Sequence, residues 1–254
     1  MNVWFAAWIV FLTGTVATTV GAAPVLMLKS LAPRLANHLI AIAAGVMLAA
    51  SVYSLLPAAL DEAARRVQEP WSTPLALIAL GVGAWCVAWA NRHFPHEHQF
   101  KGHDGSDSRR SMSFLLVTAI ALHNFPEGLS VGVTIGADDP TLMPRIATAI
   151  AIQNVPEGLV VAMAMLASGL GKWRSFGLGV ITGLIETGGG IVGAAAVGLA
   201  GGLLPWALAF AAGAMLYVIS AEVIPETHRQ GMSGGATASL LAGFAGMVWF
   251  DALF

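Results

Sequence analysis

The chain has 254 residues, 57% of them hydrophobic and 10% charged, with a formal net charge of −2. Soluble domains carry roughly 25% charged residues, so the composition excludes an ordinary water-soluble globule and fits apolar helices in a bilayer. The net charge says little, because the charges sit between apolar runs, and no nucleic-acid partner is expected. The single cysteine, Cys86, excludes an internal disulfide and a multi-cysteine cluster within one chain.

Eight apolar segments can be drawn, at about 3–27, 38–60, 73–92, 112–136, 142–168, 174–199, 203–223 and 234–253. A bilayer core takes about 20 apolar residues per helix. Only helices or closed barrels satisfy every backbone group in lipid, and these runs are too long and too continuously apolar for barrel strands. The expected fold is all-α: a polytopic membrane protein of eight transmembrane helices, residues 1–254 forming one transmembrane domain. The first segment lacks the basic start of a signal peptide and is expected to be a retained span.

Placing both termini outside puts Lys29, Arg34, Arg92, Lys101, Arg109, Arg110, Lys172, Arg174 and Arg229 in inner loops. Only Arg65, Arg66 and Arg145 then lie outside. The excess of basic residues in inner loops favours termini outside the cytoplasm and a cytoplasmic third loop. That loop, at about 93–111, holds His93, His96, His98 and His103. It reads either as a polar connector or as a weak metal-collecting tract.

The fourth and fifth segments carry related sequences, Ala-Leu-His-Asn-Phe-Pro-Glu-Gly-Leu-Ser at 121–130 and Ala-Ile-Gln-Asn-Val-Pro-Glu-Gly-Leu-Val at 151–160. Neighbouring spans run antiparallel, so the two copies face each other in inverted order near mid-bilayer, a common plan for transporter sites. His123 and Glu127 are four apart and share one helix face, with Asn124 on its edge. Gln153, Asn154 and Glu157 hold the corresponding places. Pro126 and Pro156 lack the amide hydrogen of a helical turn and should free the carbonyls of Leu122 and Ile152. Gly128 and Gly158 allow another helix to come close.

A carboxylate at the bilayer centre costs about 2.5–3.5 kcal/mol on insertion scales, and two together repel. A divalent cation between them would balance both charges. Imidazole, carboxylate and amide oxygen are ligand types that zinc and its neighbours accept. The plainer alternative is helix-to-helix hydrogen bonding, which a repeated Pro-Glu pair beside a histidine disfavours. Glu186, amid glycines in the sixth segment, should face the bundle as a ligand or proton acceptor. Glu222, Glu226 and His228 flank Pro225 at the end of the seventh and read either as an exit site or as a hydrated helix end. Asp251 is equivocal in the same way, and Met47 reads as packing or as a thioether facing the site.

These residues resemble the ZIP (Zrt- and Irt-like protein) family of metal transporters. The resemblance rests on His-Asn-Phe-Pro-Glu-Gly at 123–128, Gln-Asn-Val-Pro-Glu-Gly at 153–158, Gly-Leu-Ile-Glu-Thr-Gly-Gly-Gly at 183–190, the stretch 213–229 and the second-span stretch 47–60. It is closest to bacterial members. The resemblance implies eight helices with pseudo-twofold, inverted-repeat pairing and transport toward the cytoplasm of zinc, and sometimes iron, manganese or cadmium. It also implies metal ligands at His123, Asn124, Glu127, Gln153, Asn154, Glu157 and Glu186, with Met47 lining the site, and a homodimer in many members. Many relatives have histidine where this chain has Gln153, and some have aspartate where it has Asn154 and use it for a second metal. The expectation is therefore one site on His123, Glu127 and Glu157 without a tightly filled second one, alternating access, and departure of the ion past Glu222. No prosthetic group is expected. The rivals are a metal-gated channel and an intramembrane hydrolase on Gly-Met-Ser-Gly at 231–234, which lacks a later histidine to act as base.

Overall fold

The computed structural model describes residues 3–93, 123–137, 139–228 and 233–253. His96, His98 and His103, the first part of the fourth apolar segment, and residues 231 and 232 of the Gly-Met-Ser-Gly stretch lie outside the described residues.

Among the described residues the chain forms eight successive helical rods: α1 Trp4–Leu26, α2 Pro33–Arg66, α3 Ser72–His93, α4 at 123–134, α5 Leu142–Ala167, α6 Lys172–Leu199, α7 Gly201–His228 and α8 Ser233–Asp251. Six of them, all but α4 and α8, are long and apolar enough to cross a membrane. Large apolar side chains such as Ile78, Trp85, Leu184, Val192, Leu241 and Trp249 point outward. Such a surface is a liability in water and an advantage in lipid. The protein is an all-α polytopic membrane protein.

Two rods are longer than their apolar runs. Helix α2 starts at Pro33, whose fixed φ suits a first helical turn. It continues past the apolar run to Arg66 because Glu62 pairs with Arg65 and Arg66 at 3.1 and 3.2 Å along the same face. Helix α7 passes through Pro225 to His228. The sequence suggested an end there, but a π-helical turn at Ile219–Val223 precedes the proline and widens the helix, so its ring is accommodated without a break. The same arrangement recurs in α2, where the π turn Ala50–Leu55 precedes Pro57. A third π turn, Phe11–Val16, lies in α1.

The rods pack as two groups. Helix α1 packs on α5 and α6, which also touch each other. Helix α4 joins them: a Cβ at Gly128 would lie 1.8 Å from the Glu186 carbonyl oxygen, so backbone meets backbone there. The second group pairs α2 with α8 and α3 with α7, and joins α2 to α7. The groups meet mainly through α2 against α5, over a shared core of alanines and larger residues such as Leu55, Ile146, Ile150, Leu208 and Met215. Short side chains let the axes approach, which is how helices gain contact without a hydrophobic driving force in lipid.

At one end of the bundle a polar junction ties the groups together. Arg145 at the start of α5 donates to Asp139 at 2.8 Å and to Asp251 of α8 at 3.3 Å, and Ser54 of α2 donates to Asp251 at 2.7 Å. Burial opposes ionisation of Asp139, but the Thr141 hydroxyl and amide and the Arg145 guanidinium together hold its carboxyl below the usual carboxylate range. Its contribution is therefore complete above that range and is lost as pH falls through the depressed value. Arg145→Gln should destabilise the purified protein by about 1–2 kcal/mol, the scale of a partly exposed charge-assisted contact. Thermal melts in detergent at neutral pH check this, and the difference from wild type should shrink in acid.

Candidate metal centre

The two motif copies place their polar side chains on facing helices. His123, Asn124 and Glu127 project from α4, and Gln153, Asn154 and Glu157 from α5. Asn124, Glu127, Gln153 and Asn154 are fully buried, as is Glu186 of α6, whereas His123 and Glu157 are half-buried. Glu157 is the common neighbour: its charge acts on His123, Glu127 and Glu186. Gln153 lies beside the Glu127 carboxylate, and Asn124 beside that of Glu186.

Hydrogen bonding within this cluster is uneven. Both oxygens of Glu127, both amide atoms of Asn124 and of Gln153, and Oδ1 of Asn154 are buried without a well-formed hydrogen bond, although the Gln153 and Asn124 amides lie close enough to Glu127 and Glu186 to ease their charge. Such a group ordinarily costs about 1–3 kcal/mol, and native proteins hold few of them. Here they are concentrated on two facing helix turns. A cation accepts electron pairs from carboxylate and carboxamide oxygens and could satisfy those oxygens, whereas the amide N–H groups of Gln153 and Asn124 need acceptors, which the neighbouring Glu127 and Glu186 carboxylates offer.

Glu186 is engaged. The Asn154 amide nitrogen donates to both Glu186 oxygens at 2.9 Å and to the Thr13 carbonyl at 2.8 Å. The carboxylate rests on Gly14 in the π turn of α1, where an added Cβ would lie 2.9 Å from Cδ and 3.1 Å from each oxygen. Next to it Thr15 donates to the Gly183 carbonyl at 2.9 Å and meets the Thr187 hydroxyl at 2.8 Å, which fixes α1 to α6. Gly14 and Thr13 are the site residues that sequence reasoning missed. Their one signal was a Thr-Gly-Thr run inside an apolar span.

Glu222 departs from one of its two sequence readings, the hydrated helix end. It lies in the π turn of α7, is buried, and accepts a hydrogen bond from His123 Nε2. It therefore stands beside the motif histidine rather than at a hydrated helix end. His228, six residues on, donates from Nδ1 to the Ile224 carbonyl and meets the Thr237 hydroxyl through Nε2, at 2.8 and 3.0 Å. Glu222 and His228 thus serve different surroundings. Met47 is buried among the apolar side chains of the shared core on α2. Asp251 belongs to the polar junction with Arg145. His93 ends α3, stacked on Trp89 and donating to its carbonyl at 2.8 Å. Among the described residues, no three His, Cys, Asp or Glu side chains are gathered tightly enough to hold an ion as they stand.

Helices enclosing a buried cluster of carboxylates, amides and one imidazole define a polytopic membrane protein with a polar centre inside the bundle. The family model described as ZIP zinc transporter matches residues 90–251. The chain is 42% identical over 237 residues to "Zinc transporter GufA" of Myxococcus xanthus, with 92% of each chain covered. It is 41% identical over 243 residues to "Zinc transporter ZIPB" of Bordetella bronchiseptica, covering 94% of this chain and 78% of the relative. A "Zinc transporter ZupT" of Chlorobium phaeovibrioides is 32% identical, with 97% of each chain covered. The chain belongs to the ZIP zinc transporter family. Its class of activity is movement of metal ions across a membrane, and the matched proteins are transporters rather than enzymes.

Gly14→Ala should push the Glu186 carboxylate from its seat. Metal transport by the variant is expected to fall at least about tenfold, roughly 1.4 kcal/mol, with unchanged helical circular dichroism. Wild-type transport would show that the seat is dispensable.

Proposed function

We propose that this chain carries zinc across the plasma membrane toward the cytoplasm by alternating access. Cadmium, iron(II) and manganese(II) are further cargoes that the same donor set accepts. The reading is supported by one arrangement: Glu127 is fully buried without a well-formed hydrogen bond to either oxygen, beside the Gln153 amide and Glu157. Glu127 and Glu157 supply charge to the ion, His123 supplies nitrogen, and the oxygens of Asn124, Gln153 and Asn154 complete the set. Zinc accepts such ligands at about 2.0–2.2 Å.

For a chain of eight spans, the distribution of lysine and arginine supports both termini outside the cytoplasm. The division into α1, α4, α5 and α6 against α2, α3, α7 and α8 gives the motion two bodies. The His123–Glu222 hydrogen bond crosses between them. An incoming ion takes His123 from Glu222, and the first body then moves against the second, opening the site to the other side. Glu222 receives the ion or a proton on the way out. A homodimer, which the relatives' names do not mention, is part of the proposal only through the family resemblance.

Glu157→Ala in proteoliposomes should reduce radioactive zinc uptake to below about a tenth of wild type, and undiminished uptake would end the assignment. Uptake by the wild type should weaken as pH falls, because ligands must be deprotonated to bind. Competition by cadmium, iron(II) and manganese(II) in the same assay ranks the cargoes.

A further inference from the structure

The loop from α1 to α2 joins the two helix groups, and it lies against the start of α6. Lys172 donates from Nζ to the Leu26 carbonyl at 3.0 Å. Leu26 and Leu31 pack with Leu166 of α5 and Phe176 of α6 over the buried Ala22, Val25, Ala162 and Met163. The end of α1, the loop and the first turn of α6 therefore meet at one corner of the bundle, and α2 starts two residues beyond Leu31. Lys29 of the loop, Arg34 of α2, and Lys172 and Arg174 of α6 lie at this corner. Residues 27–38 and 168–178 contain no aspartate or glutamate. The opposite end of the bundle is built differently. There Arg65 and Arg66 pair with Glu62, and Arg145 pairs with Asp139 and Asp251.

We infer that this corner docks the headgroup of an anionic phospholipid. Lys29, Arg34 and Arg174 are exposed, and the Lys172 ammonium has further hydrogens beyond the one given to Leu26. Beside them Met27 is 86% exposed and Trp173 75% exposed. An indole at this position sits at headgroup depth, and apolar side chains next to it meet the upper part of the acyl chains. The phosphate and its charge fall to the basic side chains, as in other basic clusters between helices at the cytoplasmic side of a membrane. On the topology proposed above, this corner faces the cytoplasm. A lipid held here touches both helix groups, because Lys172 and Arg174 belong to one and Arg34 to the other, with Lys29 on the loop between them. The docking site is separate from the polar centre and does not depend on which ion that centre carries.

The test uses the full chain, purified in detergent and freed of lipid. It is offered phosphatidylglycerol or phosphatidylcholine with the same acyl chains, and bound lipid is read by native mass spectrometry. Wild type should hold phosphatidylglycerol at least about tenfold more tightly, and the preference should shrink as salt is raised. The triple variant Lys29→Gln, Arg34→Gln, Arg174→Gln leaves Lys172 on the Leu26 carbonyl and should lose the preference. The double variant Arg65→Gln, Arg66→Gln, at the opposite end, should keep it. Equal retention of the two lipids by wild type, an unchanged preference in a folded triple variant, or loss of the preference in a folded double variant would each overturn the inference. The wild-type and double-variant arms decide the matter even if the triple variant does not fold. Stabilisation against heat by inorganic phosphate equal to that by phosphatidylglycerol would make the occupant a free anion and would also overturn it.

Discussion

Carboxylates in hydrocarbon are the constraint around which this bundle is organised. Glu127 and Glu186 are fully buried, and Glu157 lies near both. An unpaired carboxylate at such depth must be balanced or neutralised, because its desolvation exceeds what hydrophobic packing returns at one residue. The protein uses two remedies. Glu186 receives a fixed donor from Asn154. Glu127 makes no well-formed hydrogen bond, although the Gln153 amide lies beside it. A carboxylate in the second state is either neutralised by a proton or balanced by a visiting cation, and the proposed function takes the second course.

The backbone serves the same end. Prolines and π turns loosen the regular hydrogen-bond ladder at the level of the polar centre in α1, α5 and α7. The π turn in α1 brings Gly14 under Glu186, and the one in α7 carries Glu222 to His123. Such turns add a residue to a helix and redirect the side chains that follow, and they recur at functional positions. The glycines of the motifs bring backbones close: a Cβ at Gly158 would lie 2.2 Å from the Thr18 carbonyl oxygen. Close approach of α5 to α1 is what lets Asn154 reach Thr13.

Much of this was legible in the sequence. Six of the apolar runs correspond to helices long and apolar enough to cross a membrane, although α2 and α7 run about five residues beyond theirs. The spacing of His123 to Glu127, and its repetition thirty residues later, placed the facing polar turns. What was hidden depends on partners far apart in the chain. His123 meets Glu222 across 99 residues, and Arg145 meets Asp251 across 106. Glu222 looked like a helix end because Pro225 and charged residues follow it, and the π turn that absorbs the proline leaves no mark in composition. Asn154 was expected as a ligand from the family resemblance, and Glu186 as a ligand or proton acceptor facing the bundle. Only their geometry shows that each is already the other's partner.

The central claim is that an ion bridges Glu127 and Glu157. Zinc-edge anomalous diffraction from crystals grown with zinc measures this most directly. The account predicts a peak about 2.0–2.2 Å from an oxygen of each carboxylate, with the His123 ring turned from Glu222 toward it. A protein peak only elsewhere, or full zinc occupancy with Glu127 and Glu157 both unliganded, would contradict it.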